Sequence, residues 1–222
     1  MKSRILLLSV GLAAAVAVPL ASTAQVAKSG QGYLLRMKWT KGKTYAYSIN
    51  TAMGSQKQPG SYSVKVKDVK NGVATLDVTT NMSAAMGGKQ TQTLKMDSTG
   101  KVIDGADGAM QAPAFPAKAV KVGETWKDSR KVNAAFPVTV NNTYTFKGLK
   151  TVNKKQLAEI AISTKGASDG MSLSGTGTMY LDLAEGMLHS SKNTVNVSIK
   201  MGQEPGSQPT KITMTMSITR TK

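Results

Sequence analysis

The side chains that could do covalent or acid–base chemistry are few and scattered. There is one histidine, His189, in "GMLHSS", and no cysteine. A Ser–His–acid triad would have to be built on His189, and no nucleophile-elbow pattern accompanies any serine. Its place after a hairpin glycine fits an ordinary strand position. With one His and no Cys, a zinc site would have to rest on carboxylates, and the 12 acidic residues are dispersed. Asp104 and Asp107 of "DGADG" could offer oxygens to Ca²⁺, without the longer ligand series of a known loop. Glu124, Asp128, Glu159 and Asp182 fall on candidate strands or their ends. Two of them could meet as a glycosidase pair, but nothing in the spacing selects which. The chain therefore reads as non-enzymatic, with no cofactor.

Methionine is the unusual component, at 13 residues. Met82, Met86, Met96, Met171, Met179, Met187, Met201, Met214 and Met216 recur along the strands. Thioethers are soft ligands for Cu(I). They also fill irregular cores and line adaptable apolar pockets, the reading that most of these positions favour. Trp39 and Trp126 are the only tryptophans. Each lies near the start of a repeat described below, which suits core anchors better than a stacking platform for sugars or bases.

The elements that must position these residues are strands. "NTVNVSIKM" sets Val195, Val197, Ile199 and Met201 on one face, and "KITMTMSITR" does the same with Ile212, Met214, Met216 and Ile218. Successive strand side chains point to opposite faces, so a period of two marks half-buried strands. "SYSVKVK" and "NTYTFKG" alternate likewise, and Asn71-Gly72 is a hairpin signal. No helix-period stretch of convincing length follows Tyr33. Residues 105–120 are the one candidate for a helical turn or lid, and their prolines favour an irregular connector.

The strand pattern occurs twice. "TKGKTYAYS" from Thr40 matches "KVGETWKDS" from Lys121, aligning Gly42 with Gly123 and Tyr45 with Trp126. Tyr62 aligns with Tyr144, and "TLKMDSTGKVIDG" with "TMYLDLAEGMLHSS", so that Asp97 matches Asp182 and Gly100 matches Gly186. In that repeated hairpin the Asp side chain would fold the turn and the Gly would take positive φ. The expected fold class is all-β: two antiparallel β-meanders, about 33–104 and 118–191, and a closing hairpin, 192–222. Together they would form one domain over 33–222, a strongly curved sheet, half-barrel or irregular barrel.

The N-terminal "MKSRILLLSVGLAAAVAVPLASTAQ" has a positive start, an apolar run, and small residues Ser22 and Ala24 before a cut at Gln25. That is the pattern of a signal peptide over 1–24, followed by a flexible segment over 25–32. The product would be exported and soluble, periplasmic or extracellular. A membrane-embedded barrel would need aromatic girdles that this chain lacks. The formal charge is +17, or +15 without Lys2 and Arg4. Such a charge keeps a protein soluble and attracts anionic surfaces.

"PAKAVKVGETW", residues 116–126, resembles a segment of uncharacterised exported bacterial all-β domains of unknown function. The resemblance implies export and β structure but no activity. "YLDLAEGML" resembles a hairpin of the periplasmic lipoprotein-carrier superfamily, which implies a curved sheet around an apolar ligand cavity.

The expected function is thus to hold an apolar or amphiphilic, lipid-like ligand on the concave face. Val195, Val197, Ile199, Met201, Ile212, Met214, Met216 and Ile218 are the candidate ligand-binding residues. An anionic envelope surface is the expected partner, and no specific nucleic acid is. The alternative is a structural or adhesive envelope protein with a filled core.

Overall fold

The computed structural model describes residues 26–83, 88–105, 113–132, 138–168, 170–199 and 208–221. The leader expected over 1–24 lies outside them, as do Met201 and Asp107. The described chain is all-β. A short hairpin pairs β1 (Ala27–Ser29) with β2 (Gly32–Leu34). The other strands are β3 (Thr44–Met53), β4 (Gln56–Lys70), β5 (Val73–Asn81), β6 (Lys89–Asp97), β7 (Val102–Gly105), β8 (Thr125–Val132), β9 (Val138–Val152), β10 (Lys155–Ser168), β11 (Met171–Asp182), β12 (Leu188–Ile199) and β13 (Thr210–Arg220). They form one 11-stranded antiparallel sheet in the order β7-β6-β5-β4-β3-β13-β12-β11-β10-β9-β8.

The two halves share backbone detail. The Gly42 N–H donates to Val66 O at 2.8 Å, and the Val66 N–H to Lys43 O at 2.9 Å. In the second half the Gly123 N–H donates to Phe146 O at 2.7 Å, and the Phe146 N–H to Glu124 O at 3.0 Å. The next residue is an extra one in each ladder, Lys67 in β4 and Lys147 in β9. Both β-bulges are followed by a two-residue turn with positive φ, 51° and 76° at Asn71-Gly72, 49° and 64° at Asn153-Lys154. Such turns match the twist of the strands they join. Within the sheet, each half lays its five strands down in the same direction, and β13 sits between the halves, pairing with both β3 and β12. The C-terminal strand therefore joins the middle of the sheet.

One alignment needs correction. Tyr45 pairs with Val64 and Trp126 with Tyr144, so Val64 is the counterpart of Tyr144, and Tyr62 is not. Three residues separate the first bulge from its turn (Asp68–Lys70), and five separate the second (Gly148–Val152). A slip of two residues keeps every side chain on its face, so the alternation cannot reveal it.

The core uses the inward positions of both halves. Leu76 and Ile160, Ala74 and Ala158, Leu94 and Met179, and Met96 and Leu181 are corresponding pairs, and all are buried. Fully burying a side chain of Leu or Met size contributes about 1.5–3 kcal/mol. Tyr45, Tyr47, Ile49 and Phe146 complete the centre of the core.

The sheet is rolled but stays open, with β7 and β8 as its edges. The Met37 N–H donates to Ser98 O, and the Lys38 N–H to Glu185 O, each at 2.7 Å. Ser98 lies in the β6–β7 turn and Glu185 in the β11–β12 turn, six strand positions apart. In a flat sheet that separation would be about 29 Å, far beyond the reach of two adjacent amides. The connector joins the edges at the same end. The Phe115 N–H donates to Thr99 O at 2.6 Å, and the Trp126 Nε1–H to Ala114 O at 3.0 Å. Residues 113–120 are irregular, with Phe115 buried, as the prolines suggested.

The described part of the expected lead-in, residues 26–32, is paired and packed. Val26 is buried and its N–H donates to Leu183 O, while Tyr33 and Val120 exchange both backbone hydrogen bonds. Val26 and Leu35 supply the apolar contacts that anchor this hairpin to the core.

Candidate functional site

The repeated hairpin is a structural device. Asp97 Oδ1 accepts from the Thr99 N–H (2.8 Å), the Thr99 hydroxyl (2.6 Å) and the Lys101 N–H (3.1 Å). Asp182 Oδ1 accepts from the Ala184 N–H at 2.9 Å. Gly100 and Gly186 take φ of 85° and 63°, the conformation expected of them. Beside the second turn, Glu185 binds Lys43 and Arg220, whose cationic groups lie 5.2 and 5.0 Å from the Tyr45 ring centre. Burial pushes the Tyr45 phenol up to about 12, with Glu185 adding to the rise. Burial also opposes ionisation of Glu185, but hydrogen bonds from Lys43 and Arg220 hold its carboxyl below the usual range.

Three of the four dispersed carboxylates are engaged by local partners. Glu124 Oε2 accepts from the Lys121 N–H, Glu159 meets Lys150 at 3.5 Å, and Asp182 is occupied by its turn and Lys155. Asp104 is tied to Lys95 at 3.0 Å. His189 is half-buried in β12, where it is the extra residue of a bulge against β11. Among the described residues, no three His, Cys, Asp or Glu side chains are grouped to hold a metal.

The core fills the end of the roll that carries the Asp hairpins. Towards the other end the inward face continues, and its composition changes from strand to strand. Residues paired across an antiparallel ladder share a face. One inward row runs Asp128, Asn142, Thr164, Gly175, Val195, Met214, Met53. The next runs Arg130, Val140, Gly166, Leu173, Val197, Ile212. On β8–β10 this face is polar, and on β11–β13 it is apolar.

The eight candidate residues can now be placed. Val195, Val197, Ile199, Ile212, Met214 and Met216 share the inward face and are half-buried, while Ile218 is buried in the core. Val195 pairs with Met214 and Val197 with Ile212. Met201 lies outside the described residues. Between the polar and apolar parts stand Gly175 and Gly177. A Cβ there would come within 2.8 Å of Thr194 O and 2.7 Å of Lys192 O. Glycine lets the neighbouring strand approach this closely and marks a bend in the sheet.

The polar part is a hydrogen-bonded network. Asp128 Oδ2 accepts from Arg130 (2.7 Å) and from the Tyr144 hydroxyl (3.1 Å), and Oδ1 accepts from Asn142 Nδ2 (2.8 Å). The Thr164 hydroxyl donates to Asn142 Oδ1 at 2.8 Å. Burial first, with Asp128 adding to it against Arg130, pushes the Tyr144 phenol well above its ordinary value. Sequence reasoning named Asp128 and missed Arg130, Asn142 and Thr164. The signal was the spacing Trp126, Asp128, Arg130, which places two charges in phase with a half-buried ring.

Two depressions open on this half of the sheet. The first, about 690 Å³, is lined mainly by outward-facing residues of β9–β13, with Leu173, Val197 and Ile212 as its larger apolar contributors. The second, about 650 Å³, lies over β8–β10 and shares Asn141 and Lys165 with the first. Among the described residues, neither is lined by methionine.

Over 80% of its length the chain is similar to the crystal structure of the hypothetical lipoprotein YmcC from Escherichia coli (K12), with 14% identity, 84% of that chain covered and a TM-score of 0.38. No curated protein matches the chain. Residues 109–206, which carry β8–β12, match the model of a family of unknown function, DUF6263. The match meets the expectation raised by residues 116–126, that this chain resembles an uncharacterised domain family.

Proposed function

We propose that the chain is an exported, non-enzymatic protein that holds an apolar or amphiphilic molecule on the concave side of its rolled sheet. The observation behind this reading is the inward apolar surface of β11–β13. It continues past the packed core through Val195, Val197, Ile212 and Met214, which remain only half-covered. Met and β-branched side chains suit a pocket that adapts to flexible tails. The inward Asp128–Arg130 network supplies a polar side for a head group, and the excess of basic residues, at +17, draws the protein to anionic envelope surfaces. Export rests on the leader-like first 24 residues and would place the product in the periplasm or outside the cell.

Native mass spectrometry of the protein purified without detergent tests this reading. A co-purifying amphiphile that Val195→Gln with Met214→Gln abolishes, at unchanged fold, supports it. A ligand-free chain that also takes up no added fatty acid removes it. A second reading, a structural or adhesive envelope protein, is favoured by one observation: the two depressions are lined mostly by polar side chains.

A further inference from the structure

The outward face of β8–β13 is built from hydroxyls, amides and lysines, and its two depressions are contiguous through Asn141 and Lys165. We infer that this continuous groove is a binding site for an anionic polysaccharide, held by Lys127, Lys165 and Lys211 with Asn141, Ser174 and Asn196 between them.

None of the three lysines has an ion-pair partner among the described residues, whereas seven other lysines do. Among the described residues Asp128 is the one acidic residue along the groove, and its carboxylate turns to the inward face, where Arg130 holds it at 2.7 Å. Eight of the nine described acidic residues, all but Asp128, lie towards the end of the sheet that carries the Asp hairpins. Among the described residues, the groove end therefore carries more positive than negative charge.

Lys127 and Lys165 are two strands apart, and Lys165 and Lys211 three, or about 10 and 15 Å across the strands at the usual separation, with a two-residue offset along the strands in each case. A compact anion would meet one lysine at a time. An extended polymer with repeating charges meets all three.

Serine, threonine and asparagine side chains match the donors and acceptors of sugar hydroxyls. Among the described residues no aromatic side chain lines the groove, and sequence-tolerant binding of single-stranded nucleic acid depends on stacking. That selects a glycan over a nucleic acid.

The test measures binding of oligogalacturonate, neutral dextran, an oligothymidylate and anionic vesicles by the full mature chain. Two triple variants of equal charge change are compared, Lys127→Glu/Lys165→Glu/Lys211→Glu in the groove and Lys28→Glu/Lys118→Glu/Lys121→Glu away from it. The site predicts oligogalacturonate binding that falls at least tenfold in the groove variant and less than threefold in the control, with no dextran binding. Equal losses in both variants would reduce the effect to general charge and overturn the site. Preference for the oligothymidylate or the vesicles, lost in the groove variant alone, would overturn the glycan assignment. Amphiphile uptake by the inner face should be unaffected in both variants, so the two proposals fail separately.

Discussion

Replacing Gly186 by alanine probes the closure of the roll at a single atom. Gly186 follows Glu185 in the β11–β12 turn and has φ of 63°. A Cβ at this position would fall inside the Arg36 carbonyl oxygen and 2.6 Å from its carbon, about 1 Å inside normal contact. Arg36 precedes the two amides that tie the hairpin turns together. The clash cannot be relieved by a side-chain rotation, because both partners are backbone. The segment must move, and the Lys38 N–H to Glu185 O bond is then stretched or lost. Gly123 is the control, with φ of 88° and nothing within 4 Å of its added Cβ. Gly123→Ala should cost only the left-handed penalty, about 1–2 kcal/mol. Gly186→Ala should cost that and a further ~1–3 kcal/mol for the unpaired backbone groups. Chemical unfolding measures the difference, and at about 2–4 °C per kcal/mol in a chain of this size the Tm gap should reach several degrees. A Gly186→Ala variant within about 0.5 kcal/mol of Gly123→Ala would refute the close passage of segment 35–39 across this hairpin.

Three further outcomes follow from local geometry. Lys154 occupies the turn position held by Gly72 in the other half, with φ of 64°; Lys154→Gly should stabilise the fold by about 1 kcal/mol in urea unfolding, and a loss would contradict the turn assignment. The Glu185 carboxyl is held below its unfolded value by Lys43 and Arg220 against the effect of burial, so the stability it contributes is present above its unfolded pKa of about 4.3 and is lost as pH falls through its folded pKa. Glu185→Gln should flatten that acid-side loss in urea midpoints measured from pH 6 to pH 3, and an unchanged profile would count against the cluster. At the alkaline side, burial holds Tyr45, Tyr47, Tyr62 and Tyr144 neutral beyond the ordinary range; the ultraviolet phenolate signal of these rings should lag until unfolding, and a Tyr45→Phe, Tyr47→Phe, Tyr62→Phe, Tyr144→Phe series that leaves the lagging fraction unchanged would contradict their burial.

Local features were the legible part of this sequence. Alternation identified β4, β9, β12 and β13 because each buries one face, and Asn71-Gly72 marked its turn because both residues tolerate positive φ. Asp97 and Asp182 announced their turns for the same reason, since a short acceptor can cap its own backbone. Partner choice was illegible. Nothing in "KITMTMSITR" says that Met214 lies opposite Met53, because strand pairing is fixed by the whole rolled core and not by either strand. The second turn, Asn153-Lys154, was missed because lysine is a poor left-handed residue. Asp128 and Arg130 were unreadable as a network because a polar residue on an inward position looks like a phase error until its partners Asn142 and Tyr144 are seen.

The absence of cysteine allows a single reporter to be placed at will. Met214→Cys carrying an environment-sensitive fluorophore sits on the inward face, and Thr213→Cys, the next residue, carries it on the outward face. On addition of a long-chain fatty acid, the account predicts a saturable blue shift from position 214 and none from position 213. Equal responses at both positions, or none at 214, would contradict the inward apolar surface as a binding site.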